Sequence, residues 1–381
     1  MGRTRWSGIG LIAATYVYFL VFAQFGFLHR VRESLGPGHW NLVLGVMGLA
    51  GLVGAIFTMA CYRSGSGRHW LMAGFVGACV GALLAADASE LYVFALSAGM
   101  SGFFLSTLTV ALVGVLGEML PTDRIGQVCG IGTGAAYFVS NIPMVFDASA
   151  EAQCLIAASF CLGGFYCALR APIGDYDRSQ RQSTSSGSKE VMHRAGCPVV
   201  SDRKTSRRLV LLGWVCVFMV LVWADSAAFT RIQETPALKA ASWSGSSQLL
   251  SLGIVHFFAA VVAGFFMYTG RWKLLLGAAF FGLWIGWLGL EHGVGGLLPA
   301  WIYAGSVSFY STALVGFALL RGNGARPAVW AGVVYGISGW IGSAMGIGMV
   351  NDLGALPFSF WVAAFVFLIG GLTLIERKGT R

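Results

Sequence analysis

The chain has 381 residues, 56% of them hydrophobic and only 11% charged, with a mean hydropathy of +0.73. So few charges cannot cover a soluble core of this size, which excludes water-soluble domains. The formal net charge of +9 sits between apolar runs, so it reads as membrane orientation and not as a nucleic-acid surface.

A helix needs roughly 20 apolar residues to cross a bilayer core of about 30 Å. Twelve such runs follow one another along the chain: 7–28, 40–61, 70–88, 91–117, 127–147, 152–170, 209–229, 244–268, 273–290, 297–320, 328–350 and 356–375. None alternates as a membrane β-strand would. The predicted class is an all-α polytopic membrane protein with twelve transmembrane helices. The connections are short except for 171–208, which is polar, serine-rich and basic. It is predicted to be a poorly ordered linker between one six-helix bundle over 1–170 and a second over 209–381.

Counting Lys and Arg in alternate loops tests this topology. One side receives 21 of the 25 basic residues, and the other receives only Arg30, Arg32, Arg231 and Lys239. A missed span would scramble that split. Both termini and the linker are therefore expected on the cytoplasmic side of a bacterial-type inner membrane. The first run follows Arg3 and Arg5 but lacks a small-x-small cleavage site, so it reads as a retained span. Tryptophans at 6, 40, 70, 243, 272 and 301 fall at span ends, where an interfacial belt is expected. The eight cysteines form no CxxC pair and read as small buried side chains.

The two sets of six carry matching residues. Phe104-Leu105-Ser106-Thr107 in span four answers Phe309-Tyr310-Ser311-Thr312 in span ten, at an offset of 205. Arg124, Gly130 and Gly134 answer Arg326, Gly332 and Gly336 at 202, and Gly67-Arg68 answers Gly270-Arg271. With the turn Pro121-Thr122-Asp123-Arg124, these features make the chain resemble the major facilitator superfamily over essentially its whole length. That family's loop between spans two and three carries an acid before its basic residues. Here Tyr62 stands at the acid position, and the Gly-Pro pair of the antiporters is missing from span five. The resemblance implies two bundles about an axis normal to the membrane, a central cavity lined by spans one, four, seven and ten, and rocking between two access states. It also implies a cytoplasmic charge gate, for which Arg68, Asp123, Arg124 and Arg271 are the candidates.

No metalloprotease, nucleophile-elbow or phosphate-loop motif is present, so the sequence offers no case for an enzyme and calls for no cofactor. Polar groups inside the membrane are costly and become the candidates for function. His256 lies midway along span eight, either as a proton relay or as a neutral group bonded between helices. Asp225 lies about a turn from the outer end of span seven, either as a coupling or binding acid or as the hydrated partner of Arg231. Gln24, Ser106, Thr107, Tyr310, Ser311 and Thr312 are neutral polar groups on the spans expected to line the cavity. Asn141 beside Pro143 suggests a kink in span five. Met345 and Met349 form an M-x3-M pair able to pass a soft cation, against ordinary packing.

The leading reading is a secondary transporter of a small solute of unknown class, possible partners being otherwise the lipid bilayer alone and not nucleic acid. A second is a non-transporting subunit of this fold that holds a pigment, cofactor or partner complex. The first requires an open cavity that His256 or Asp225 faces; the second requires a filled, aromatic centre. A third, copper import, requires Met345 and Met349 to face the cavity.

Overall fold

The computed structural model of the protein describes residues 2–36, 39–172, 201–321 and 327–376. Among these residues twelve long helices follow one another. The first six are α1 (Gly2–Val17, continued by π-helical turns over Tyr18–Gly26 and by Phe27–Leu35), α2 (Trp40–Cys61), α3 (Gly67–Asp87), α4 (Leu91–Met119), α5 (Thr122–Ser140) and α6 (Ala150–Arg170). The second six are α7 (Ser201–Glu234), α8 (Ser246–Tyr268), α9 (Trp272–Glu291), α10 (Leu298–Arg321), α11 (Pro327–Val334, π-helical over Tyr335–Ile341, then Gly342–Leu353) and α12 (Phe358–Glu376). A single turn at Pro143–Phe146 and a two-turn helix at Pro236–Ser242 follow α5 and α7. We call the end of the bundle that carries the 2–3, 4–5 and 8–9 turns the linker face, and the other end the far face.

Helix ends follow local chemistry. Ser149 caps α6 by accepting from the Ala152 amide at 3.2 Å, with Glu151 in the first turn and Arg170 in the last. Gly354 takes the left-handed conformation that closes α11, its amide donating to the Val350 carbonyl at 2.8 Å. At the far end of α1, Arg30 donates to the carbonyls of Ala86 and Ala88, each at 3.1 Å, and so satisfies the end of α3.

Eleven of the helices are long and apolar enough to cross a membrane. The twelfth, α5, fails mainly because Asp123 and Arg124 in its first turn, with Gln127, lower its hydropathy. It still runs the same course, buried on most sides by its neighbours. The expected fifth span, 127–147, is also too long. The helix stops at Ser140, where Asn141 Nδ2 donates to the Tyr137 carbonyl at 2.8 Å and Ser140 Oγ to Ala136 at 2.8 Å. The kink expected at Asn141 is a complete break, since Pro143 can only start a new turn.

Most of the expected linker, from 173 to 200, lies outside the described residues. Its last part does not match the expectation, because α7 is already helical from Ser201. The segment 201–208 holds no Gly or Pro, so nothing in it stops a helix that leaves the bilayer. The tryptophan belt also needs correcting at two places. Trp243 and Trp272 are buried, the latter edge-on to Trp214 at 5.3 Å, whereas Trp6 stays exposed.

The two halves meet along glycine seams. A methyl group on Gly130 or Gly134 of α5 would meet backbone of α8, at Ala260 and Phe257. The matching Gly332 and Gly336 of α11 face Met59 and Ala55 of α2. The pairs 5–8 and 11–2 are thus exchanged by the same twofold relation that the sequence repeat suggests. Small residues let these backbones approach where no hydrophobic drive separates helix from lipid.

Candidate functional site

A cavity of about 290 Å³ lies between the halves. Helices α1, α2, α4, α5, α7, α8, α10 and α11 line it, and α3, α6, α9 and α12 contribute nothing to it. The expectation of four lining helices is met and doubled. The lining runs from Thr15 and Leu314 near mid-bundle to Arg32 and Glu234 at the far face. On the linker face the halves touch: a methyl on Gly117 of α4 would lie 3.2 Å from Leu319 and 3.4 Å from Pro327. The π-helical stretches of α1 and α11 both border the cavity, at Gln24 and at Trp340. Such turns are rare and occur often at functional sites.

Asp225 of α7 is 8% exposed and sits on the cavity wall. Tyr303 donates to its Oδ1 at 2.5 Å and Tyr310 to its Oδ2. These tyrosines are seven residues apart on α10 and so share one helix face. Among the described residues no basic side chain is paired with this carboxylate; Arg231, the alternative partner, is not bonded to it. From Tyr303 a series of ring contacts continues through Trp243 (5.9 Å), Phe229 (6.2 Å), Phe25 (5.6 Å) and Phe146 (5.0 Å). The carboxylate therefore stands at the end of an aromatic wall.

His256 also borders the cavity but is tied into a separate network. Its Nδ1 lies 2.7 Å from Ser308 Oγ, and its ring stacks flat on Tyr137 at 4.4 Å. The Tyr137 hydroxyl in turn shares a hydrogen bond with Ser311 across the two halves at 2.9 Å. Of the neutral candidates, Gln24, Ser106, Asn141, Tyr310 and Ser311 line the cavity. Thr107 and Thr312 do not. Both are buried within the bundle, Thr107 bonded to Phe103 O and accepting from Thr58. The repeat pairs Ser106 with Ser311 and Thr107 with Thr312, and each pair occupies the same kind of place. Ser106 accepts from Trp340 Nε1 of α11 at 2.6 Å, a second bond between the halves. Met345 is 40% exposed and Met349 packs against the core; neither lines the cavity. The copper reading loses the geometry it required.

Among the described residues the expected cytoplasmic charge gate does not join the halves through these four residues. Arg124 pairs with its own neighbour Asp123 at 3.3 Å, both exposed, and Arg68 donates to the Ala171 carbonyl at 2.7 Å. Arg271 is exposed. At the altered acid position the Tyr62 hydroxyl donates to Glu118 of α4 at 3.1 Å. Burial, helped by that carboxylate, pushes the phenol well above its ordinary range, so it stays a donor. An ion pair does join the halves on the far face, where Arg32 meets Glu234 at 2.8 Å and lies 4.2 Å over the Trp40 ring.

No protein-family model matches the chain, and no curated protein matches it in sequence. Among solved structures, the crystal structure of the human organic anion transporter MFSD10 (TETRAN) aligns with a TM-score of 0.65 and 15% identity. The alignment covers 98% of this chain and 99% of that one. The fold is that of the major facilitator superfamily. Within the major facilitator fold, the sequence alone missed Tyr303, Trp243, Tyr137, Trp340 and the Arg32–Glu234 pair. Two signals were present: Tyr303 and Tyr310 are one helix face apart by seven, and Arg32 and Glu234 are offset by 202, one of the repeat's own spacings.

Proposed function

We propose that this protein is a secondary transporter that moves a small solute by alternating access, with Asp225 as its binding and coupling group. The observation that carries this reading is the cavity between the halves, open on a buried carboxylate that no basic group among the described residues neutralises. A scaffold that docked only a partner complex would need no such space. An ionisable group costs about 2.5–3.5 kcal/mol at a bilayer centre, and a hydrogen bond to a charged group returns about 1.5–3 kcal/mol. Even if Asp225 lay that deep, two phenols would suffice to hold it, still able to exchange a proton or a cargo group. The membrane is read as a cytoplasmic one with both termini inside, on the distribution of Lys and Arg.

The cargo of the structural neighbour, named an organic anion transporter, does not carry over at this level of identity. An uncompensated carboxylate at the centre also repels an anion. The test is flux into proteoliposomes under an imposed pH gradient, across amino acids, sugars, organic anions and organic cations. Flux no greater than in protein-free vesicles for every class would refute transport.

A further inference from the structure

Three features of the cavity bear on what it can hold. First, the two phenols occupy one position on each oxygen of Asp225, and a carboxylate can accept about four hydrogen bonds. Acceptor capacity remains for a ligand. Second, the arginine of the lining, Arg32, is already engaged by Glu234, so the carboxylate faces the cavity as its unbalanced charge. Third, the wall that leads to it is aromatic, through Phe25, Phe229, Trp243 and Tyr303. That such a lining accommodates positive charge is visible in place, because the Arg32 guanidinium lies 4.2 Å over Trp40.

We propose that the cavity is an organic-cation site, taking a protonated or quaternary amine whose charge meets Asp225 and whose carbon groups lie on the aromatic wall. Ring faces attract cations most strongly where water is excluded. A divalent metal ion is poorly served, since it takes roughly six to eight oxygen ligands and the free carboxylate here is one. The cavity, about 290 Å³, is at the small end of ligand pockets, which span roughly 300–1,000 Å³, so the cation is a compact one. The site rests on the transporter reading for passage across the bilayer, and stands without it for binding.

Calorimetric titration of the purified full-length protein with three solutes of one shape tests this: choline, its neutral carbon isostere 3,3-dimethylbutan-1-ol, and 3,3-dimethylbutanoate. Choline is expected to bind at least about tenfold more tightly than the alcohol, and the anion not at all. Asp225→Asn should shrink the choline preference to about threefold or less. Trp243→Leu keeps the carboxylate and should weaken choline about three- to tenfold, which keeps the test decisive if the first variant does not fold. Equal binding of choline and the alcohol, preference for the anion, or no choline binding overturns the proposal. Flux of the same solutes into proteoliposomes separates the two readings. Choline bound but not carried would leave the cation site and remove transport, whereas a carried anion with choline ignored would do the reverse.

Discussion

Asp225 is held by two hydroxyls from a single neighbouring helix, and its variants should divide coupling from shape. Asparagine keeps the size but can accept from only one of Tyr303 and Tyr310, its Nδ2 instead donating to the other hydroxyl, and it carries no exchangeable charge. Asp225→Asn is expected to abolish gradient-driven accumulation while equilibrium exchange of any carried solute persists; accumulation at the wild-type rate would exclude this residue from coupling. His256 reads differently. Its bonded and stacked partners, Ser308 and Tyr137, are both neutral. His256→Gln is therefore expected to cost about 1 kcal/mol of stability through the lost stack, read as a lower melting temperature, with accumulation retained. The sequence located both residues by the rarity of ionisable groups in apolar runs. It could not say what they touch, because Tyr303 lies 78 residues from Asp225 and looks, in sequence, like any aromatic at a span end.

The helices that face each other across the halves rely on glycine for contact. Gly126 of α5 and Gly264 of α8 each direct their missing side chain at the other's carbonyl. Because the obstacle is backbone, neither side can yield. Gly126→Val should destabilise by at least about 3 kcal/mol, seen as loss of the monodisperse peak in size-exclusion chromatography. Gly163→Val, with open space around it, should leave that peak unchanged. Trp340 makes a lighter link, its indole N–H on Ser106. Trp340→Phe removes about 1 kcal/mol from this arrangement and should shift the access equilibrium about fivefold toward the linker-face-open state. Thiol labelling of a cavity cysteine at Ser311, in a background without native cysteines, would measure the shift. Helix α5 shows where legibility by hydropathy ends. Its apolar run was legible at 127–147, but the helix itself starts at Thr122 with Asp123 and Arg124 and stops at Ser140, so the run and the helix do not coincide.

Across the whole molecule, the count of spans and the six-plus-six division were legible because the bilayer imposes length and charge rules on every segment. The relative placement of the spans was not, since helix-to-helix register is set by side-chain fit that no periodicity records. The sidedness is open to direct test. Single cysteines at Ser185 and Ser244 are expected to react with impermeant reagents from opposite sides of the membrane; reaction of both from one side would refute the topology. At the far face, the exposed Arg32–Glu234 pair should contribute no more than about 1 kcal/mol to closure. Glu234→Arg is expected to speed labelling at Ser311 up to about fivefold, and the double exchange with Arg32→Glu to restore the original rate.

Asp225, Tyr303 and Tyr310 all belong to the second bundle, whereas Tyr137–Ser311, Trp340–Ser106 and Arg32–Glu234 each span the two. Opening of the far face must part Arg32 from Glu234 and can leave Asp225, Tyr303 and Tyr310 together. A solute on the carboxylate would then ride as a passenger on one bundle while the other sweeps past it as a shutter. A spin label on α7 should keep its distance to a spin-labelled ammonium solute in both access states, while a label on α1 changes its own by several ångströms.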